Sequence, residues 1–161
     1  MLVTLATRTF TPEPTAAALR LGALARALAG GGDRVRVLTS RLAPVVARGA
    51  ARADELGTGL VEVRRAPVLR DRTGAVRGYV SYLSFDVPLI ARLLAGPRPD
   101  VVVAEPPPTT GAAVRLACAL RRVPYVYYCA DIVSDAAALA GVARPVVRAV
   151  AGLESFALRG A

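Results

Sequence analysis

Pro99-Asp100-Val101-Val102-Val103-Ala104-Glu105-Pro106-Pro107-Pro108-Thr109 is the stretch on which the fold turns. Val101–Ala104 is apolar throughout, without polar alternation, as expected of a short central strand buried on both faces of a parallel sheet. Three prolines then force a rigid turn, and Thr109 is placed to cap a helix running to about Arg122. Similar units lie upstream. Leu2–Thr7 reads as a first strand, followed by the turn Thr11-Pro12-Glu13-Pro14 and a helix capped by Thr15, with Leu21, Leu24 and Leu28 on one face, ending at Gly30-Gly31-Gly32. Val35–Thr39 is a second strand, residues 41–57 an Ala- and Arg-rich helix or loop, and Leu60–Ala66 a third strand in which Val61 and Val63 alternate with Glu62 and Arg64. Val76, Val80, Leu83, Val87, Ile90 and Leu94 recur at three- and four-residue steps and predict a long amphipathic helix that Pro88 kinks or divides. Downstream, Tyr125–Cys129 is a fifth strand, and one or two helices occupy about 135–159. The order βαβ(α)βαβαβα predicts an α/β fold: one Rossmann-like domain over 1–161, a doubly wound parallel sheet with its binding crevice at the carboxyl ends of the strands.

Composition narrows the function. With 161 residues and 54% hydrophobic content the chain suits one compact domain and is not disordered. All 21 basic residues are arginine, against 12 acidic ones, for a formal charge of +9, and lysine and histidine are absent. High-GC codon bias and selection for an anionic partner both account for this. The partners to consider are nucleic acid, an anionic membrane surface and a phosphorylated substrate. Nucleic acid is set aside, because no zinc-ligand spacing, basic heptad helix or aromatic-basic RNA-binding motif occurs. Cys118 and Cys129 lie in apolar segments, as buried free thiols of a reducing cytoplasm do. The start lacks a basic leader, and no uncharged apolar run reaches about 18 residues. A cytoplasmic protein, at most peripheral on a membrane, is expected.

Three strand-end loops should line the crevice. The first carries Glu13, Pro14, Thr15 and Ala16, with Arg20 one turn into the helix, and its helix-terminal amides could hold a phosphate or simply form an ordinary strand-to-helix turn. The second is Glu105-Pro106-Pro107-Pro108-Thr109-Thr110. Glu105 ends an apolar strand, so its carboxylate must emerge into the crevice or find a partner. In the third, Asp131 follows a strand end directly, and Asp135 is placed to cap the next helix. Whole classes of chemistry are missing. There is no G-x-S-x-G elbow, no His or Cys cluster for a metal, no P-loop and no G-x-G-x-x-G fingerprint, so neither a metal nor a cofactor is expected.

The order of motifs resembles the N-terminal domain of glycosyltransferase family 4, especially bacterial enzymes of capsule and exopolysaccharide assembly. The matching stretches are Phe10–Thr15, Leu24–Ala29 leading into Gly32–Thr39, Tyr82–Phe85, Pro99–Ala104 with Pro106-Pro107, Arg122–Tyr127, Asp131 and Leu153–Phe156. The resemblance implies a two-domain GT-B enzyme that moves a sugar from a nucleotide donor to an acceptor, often a lipid-linked saccharide at the inner face of the plasma membrane. It implies an acceptor-side, retaining half in which Asp131 and Glu105 orient the acceptor hydroxyl and Thr15 and Arg20 face phosphate oxygens, with Glu13, Ala16 and Thr109 also contacting substrate. No glutamate pair has the family's E-x7-E spacing, so the nucleotide sugar is expected on a missing C-terminal domain or a second chain. Ala16 and Ala18 stand where the family usually has glycines, and Asp33 stands where it usually has histidine. A non-catalytic partner subunit of a split enzyme, recruiting a donor-binding chain to the membrane, is the alternative, and an unrelated flavodoxin-like small-molecule binder is the third reading.

Residues 64–92 also suggest a membrane contact. Arg64, Arg65, Arg70, Arg72 and Arg77 precede Tyr79, Tyr82 and Phe85, on a helix whose Val76, Val80, Leu83 and Val87 stripe would face the core.

Overall fold

The computed structural model describes residues 1–49, 59–71, 74–76 and 78–161. Five strands, β1 (Leu2–Ala6), β2 (Arg34–Ser40), β3 (Val61–Ala66), β4 (Val101–Ala104) and β5 (Tyr125–Tyr127), form one sheet in the order β3-β2-β1-β4-β5. Every pairing is parallel. Between them run α1 (Ala16–Gly30), α2 (Pro44–Gly49), α3 (Tyr79–Ala95) and α4 (Pro108–Arg121), and after β5 come α5 (Val133–Leu139) and α6 (Arg144–Leu158). The expected doubly wound α/β sheet is therefore present, with β5 three residues long instead of five. Of the expected helix or loop at 41–57, Pro44–Gly49 is helical and 50–58 lie outside the described residues.

The sheet is buried from both sides by separate apolar clusters. On one face Leu21, Ala25 and Ala29 of α1 pack with Phe10 on Val3, Leu5, Val35 and Val37. On the other, Phe85, Leu89 and Leu93 of α3, Val114 and Ala117 of α4 and Ala157 of α6 cover Leu38, Val102, Ala104, Tyr125 and Tyr127. Thr15 caps α1 as expected, its Oγ1 accepting the Ala18 N–H at 3.1 Å.

Helix α3 corrects two expectations. It starts at Tyr79, after Gly78 with φ 89°, rather than at Val76, and of the kink or division expected at Pro88 the division is absent. Its inward face is Ser81, Phe85, Asp86, Leu89 and Leu93, whereas Val80, Leu83 and Val87 are exposed. The stripe expected to face the core faces outward. The cause lies in the side chains: α3 is apolar nearly all round, Phe and Leu bury more area than Val, and Asp86 is tolerated inside because it gains a hydrogen bond. Of the residues expected at a membrane surface in 64–92, Tyr79 and Arg64 are exposed. Phe85 is in the core, Arg64 pairs with Glu62, and Arg65 and Arg70 turn inward; Arg72 and Arg77 lie outside the described residues.

Guanidinium groups join chain segments through carbonyl oxygens. Arg121 donates to Leu93 O at 2.5 Å and Gly96 O at 2.8 Å, Arg65 to Thr11 O and Ser40 O, Arg98 to Arg122 O, and Arg92 to Arg64 O.

Candidate functional site

In the order β3-β2-β1-β4-β5 the connections leave in opposite directions after β1 and β4, and the crevice lies at that reversal, outside the carboxyl ends. The register pairs Ala6 with Ala104, so Thr7 and Glu105 are the next residues out on the two strands. They bridge the reversal: Thr7 Oγ1 lies 2.6 Å from Glu105 Oε2, and Glu105 is only 7% exposed. Thr7 Oγ1 is also 2.8 Å from Thr9 O. A hydroxyl carries one proton and cannot donate to both acceptors. A protonated Glu105 resolves the conflict by donating to Thr7, which then donates to Thr9. Burial pushes the Glu105 carboxyl above its ordinary range, against the opposing pulls of the Thr7 hydrogen bond and the Arg8 and Arg20 charges, and so favours that protonated form.

Arg8, immediately after Thr7, stacks its guanidinium 4.0 Å above the Tyr82 ring and donates to Pro106 O at 3.3 Å. Beside it α3 supplies Asp86, whose Oδ1 accepts the Thr110 hydroxyl at 2.6 Å while Oδ2 is buried without a partner among the described residues. Burial raises the Asp86 pKa; the Thr110 and Thr109 hydroxyls and the Arg8 charge oppose it. The Thr109 hydroxyl faces this carboxylate without a hydrogen bond of normal geometry. Thr109 lies within α4, whose N-cap is Pro107, so the expected cap at Thr109 is corrected. A proline run without N–H groups starts the helix two residues early, because the first helical N–H groups have no intrahelical partner to lose. Tyr127 completes this wall, with a buried, unpaired hydroxyl whose pKa is pushed up by burial and by neighbouring anionic groups.

The remaining sequence-predicted residues flank this centre. Asp131 is exposed just after β5, beside Cys129. Arg20 on α1 is exposed, with its guanidinium 5.7 Å from the Tyr128 ring. Ala16 is the exposed first residue of α1. Glu13 is buried, and its carboxylate is turned to Arg70 at 3.3 Å. Its pKa is raised by burial, partly offset by Arg70 and Arg65. Arg70 in turn reaches Ser40 Oγ, Gly74 O and Arg41 O, so Glu13 braces the loop after β3 against the loop after β1. Asp135 sits in the first turn of α5 but does not cap it; Ile132 occupies the cap position. Glu154 of α6 performs that task, accepting Val133 N–H at 2.8 Å, Ser134 N–H at 3.4 Å and the Ser134 hydroxyl at 2.6 Å. A carboxylate at a helix N-terminus satisfies free donors and opposes the dipole, and this one fixes the loop that carries Asp131.

Of the sequence-predicted residues, Glu105 and Thr109 stand beside Thr7, Arg8, Asp86 and Tyr127, which the sequence reading did not single out, and Asp131 and Arg20 flank them. A lone acid within an otherwise apolar helix was the available signal for Asp86. Among the described residues no His, Cys, Asp and Glu cluster suits a metal ion, and no helix is long and apolar enough to cross a membrane.

Comparison with solved structures shows the fold in unrelated settings. The C-terminal domain of a Pyrococcus furiosus hydrogenase matches with TM-score 0.56 at 15% identity, covering 79% of this chain and 89% of that one. Arabidopsis thaliana UGT89C1, complexed with UDP-L-rhamnose, matches with TM-score 0.51 at 11% identity, covering 78% of this chain and 35% of that one. At such identities the likeness is one of architecture, which is shared among many chemistries. No curated protein sequence matches the chain. The sequence does match the glycosyl transferase 4-like domain over residues 15–161, from the cap of α1 through α6. The match takes in four of the five strands of the sheet and every helix described above, and the chain belongs to the glycosyl transferase 4-like domain family.

Proposed function

We propose that this chain is the acceptor-side, N-terminal half of a retaining GT-B glycosyltransferase that transfers a sugar from a nucleotide sugar to a lipid-linked saccharide in bacterial capsule or exopolysaccharide assembly. One observation carries the reading: the buried Glu105–Thr7 bridge at the strand reversal, flanked by the unpaired hydroxyls of Thr109 and Tyr127. Convergent polar groups in a largely apolar wall are what a polyhydroxyl ligand requires. Glu105, its proton held by Thr7, offers its other carboxyl oxygen to an acceptor hydroxyl, and exposed Asp131 accepts from the hydroxyl that attacks. Thr15, Ala16 and Arg20 at the start of α1 face donor phosphate oxygens, and Glu13, held by Arg70, keeps that loop in shape.

In this reading a second Rossmann-like unit, on the same polypeptide or another, holds the nucleotide sugar. Bringing two substrates together is the larger part of such catalysis, so the 161-residue chain alone transfers no sugar. The test is ligand-observed NMR with a panel of saccharides and nucleotide sugars. Saccharide binding that weakens in Asp131→Asn and Glu105→Gln is the expected result. Tight nucleotide-sugar binding with no saccharide binding would overturn the assignment of the acceptor side, and turnover by the isolated chain would overturn the two-unit reading.

A further inference from the structure

A groove of about 350 Å³ lies between α3, α4 and α6. Its walls are apolar, made by Leu83, Val87, Ile90, Leu116 and Phe156. Its polar lining residues are Asp86 and Thr109. Each carries an atom that is buried without a hydrogen-bond partner among the described residues, Oδ2 of the acid and Oγ1 of the threonine. The other Asp86 oxygen is occupied by the Thr110 hydroxyl at 2.6 Å. Most buried polar groups in folded proteins have a partner, and those left without one cost stability. Two such atoms side by side in an apolar groove have the form of a small-molecule site, whose few polar groups converge on one ligand group.

The two orphaned atoms define that group. Asp86 needs a donor when ionised and an acceptor when neutral, and the Thr109 hydroxyl can give or take one proton. An alcohol, with one proton and two lone pairs, meets both residues in either state. An ammonium group serves the ionised acid alone and cannot accept from Thr109. It is also repelled: the three helices carry Arg92, Arg115, Arg121, Arg144 and Arg148 against Asp86 and Glu154. Glu154 is spent on α5, and the Arg8 charge already acts on Asp86. A plain hydrocarbon would leave both atoms dry. Because they are buried, a ligand reaches them by a side-chain rotation, and Leu83 and Leu116, 51% and 48% exposed, are wall residues free to turn aside.

We propose that this groove is a second binding site, for an uncharged alcohol with a compact apolar body, whose hydroxyl bonds Asp86 Oδ2 and Thr109 Oγ1 while the body lies against Leu83, Ile90, Leu116 and Phe156. Neither Glu105 nor Thr7 lines the groove, and the site does not depend on the transfer reaction. Thr109 is shared with the neighbouring depression between Tyr82 and Pro107. An occupied groove therefore engages a hydroxyl that the crevice would otherwise present.

The experiment titrates the 161-residue chain with para-cresol, toluene and benzylamine, which share a ring and differ in the polar group, and follows backbone amide shifts by NMR. Shifts should gather at Ala112 and Ala113, which line the groove. Toluene should bind about tenfold or more weaker than para-cresol, and benzylamine no tighter than toluene. Thr109→Val, which keeps the side-chain shape, should weaken para-cresol about fivefold or more and leave toluene within about twofold. Asp86→Ala, checked for unchanged circular dichroism, should erase the difference between the two. Ala112→Phe, which fills the groove from a half-buried position, should block both. Absence of saturable para-cresol binding, equal affinity for para-cresol and toluene, benzylamine binding tighter than para-cresol, or a preference for para-cresol that survives Thr109→Val would each overturn the proposal. Shifts confined to Thr7, Glu105 and their neighbours would overturn it too, by placing the ligand in the crevice and leaving the reading of the transfer site untouched.

Discussion

Removing the Glu154 carboxylate tests the link between the last helix and the site. Helix α5 has seven residues, too few for independent stability in water, and its own cap residue, Ile132, offers no side-chain acceptor. Glu154 reaches its first turn from α6 with two well-formed hydrogen bonds, at 2.8 and 2.6 Å, and a long third at 3.4 Å. Hydrogen bonds to a charged group contribute about 1.5–3 kcal/mol each. Water reaching the freed α5 terminus offsets part of that, so Glu154→Ala should cost about 3 kcal/mol. For a domain of this size that corresponds to a fall in Tm of about 6–12 °C. Glu154→Gln keeps one acceptor oxygen and should cost about half as much. Urea unfolding followed by far-UV circular dichroism gives the free energies, and a double-mutant cycle with Ser134→Ala should show a coupling of about 1 kcal/mol. Stability of Glu154→Ala within about 0.5 kcal/mol of wild type, or no coupling to Ser134, would refute the reasoning, since buried polar partners cannot then be carrying the α5 terminus.

Three other outcomes follow from the packing and the charges. A Cβ at Gly111 would stand 2.6 Å from Tyr127 Cε2 and 2.8 Å from Ala157 Cβ, so Gly111→Ala should lower stability by about 1–3 kcal/mol; a net gain, as helix propensity alone dictates, would mean that α6 is free to move. Phe85→Ala should cost about 3–5 kcal/mol and Val87→Ala about 0.5 kcal/mol or less, as measured by urea midpoints, and the reverse ranking would restore the opposite stripe of α3 to the core. Burial raises the folded-state pKa of Glu105 above its ordinary 4.5, so its contribution to stability is present below about 4.5 and lost as pH rises through the raised value. Glu105→Gln should flatten the fall in stability over that window, and an unchanged slope would place the proton elsewhere.

The sheet was legible because parallel strands leave a simple trace: Val101–Ala104, Val35–Thr39 and Leu2–Thr7 are apolar runs that nothing but burial on two faces explains. The strand-end acid Glu105 was legible for a related reason, as it follows such a run directly; Asp131 lies four residues beyond the shorter β5. Helix α3 was not. Its sequence offers two apolar stripes, and only the tertiary pairing of Asp86 with Thr110 selects the one that carries a charge. Periodicity counts an acid against a face; a hydrogen bond 24 residues away reverses the vote. Arg8 and Tyr127 were illegible for the same reason, since their setting is made by residues from β4, α3 and α4 that no local window contains.

The guanidinium-to-carbonyl joints carry a further consequence. Arg121 fastens two carbonyls at the end of α3 from a single nitrogen, and Arg65 fastens Thr11 of the loop after β1 to Ser40 at the end of β2 with both arms of its planar fork. A lysine ammonium is a point donor without the span of the Arg65 fork, so a conservative-looking Arg65→Lys exchange would leave one of its two carbonyl oxygens without that donor. The acceptor in each of these bonds is a carbonyl dipole rather than an anion, so the bonds themselves do not neutralise the charge. Rivets and electric field are thus vested in the same side chains. The molecule cannot shed much of its positive charge through these residues without loosening its own seams, and its solubility, its attraction to anions and its rigidity are bound to vary together.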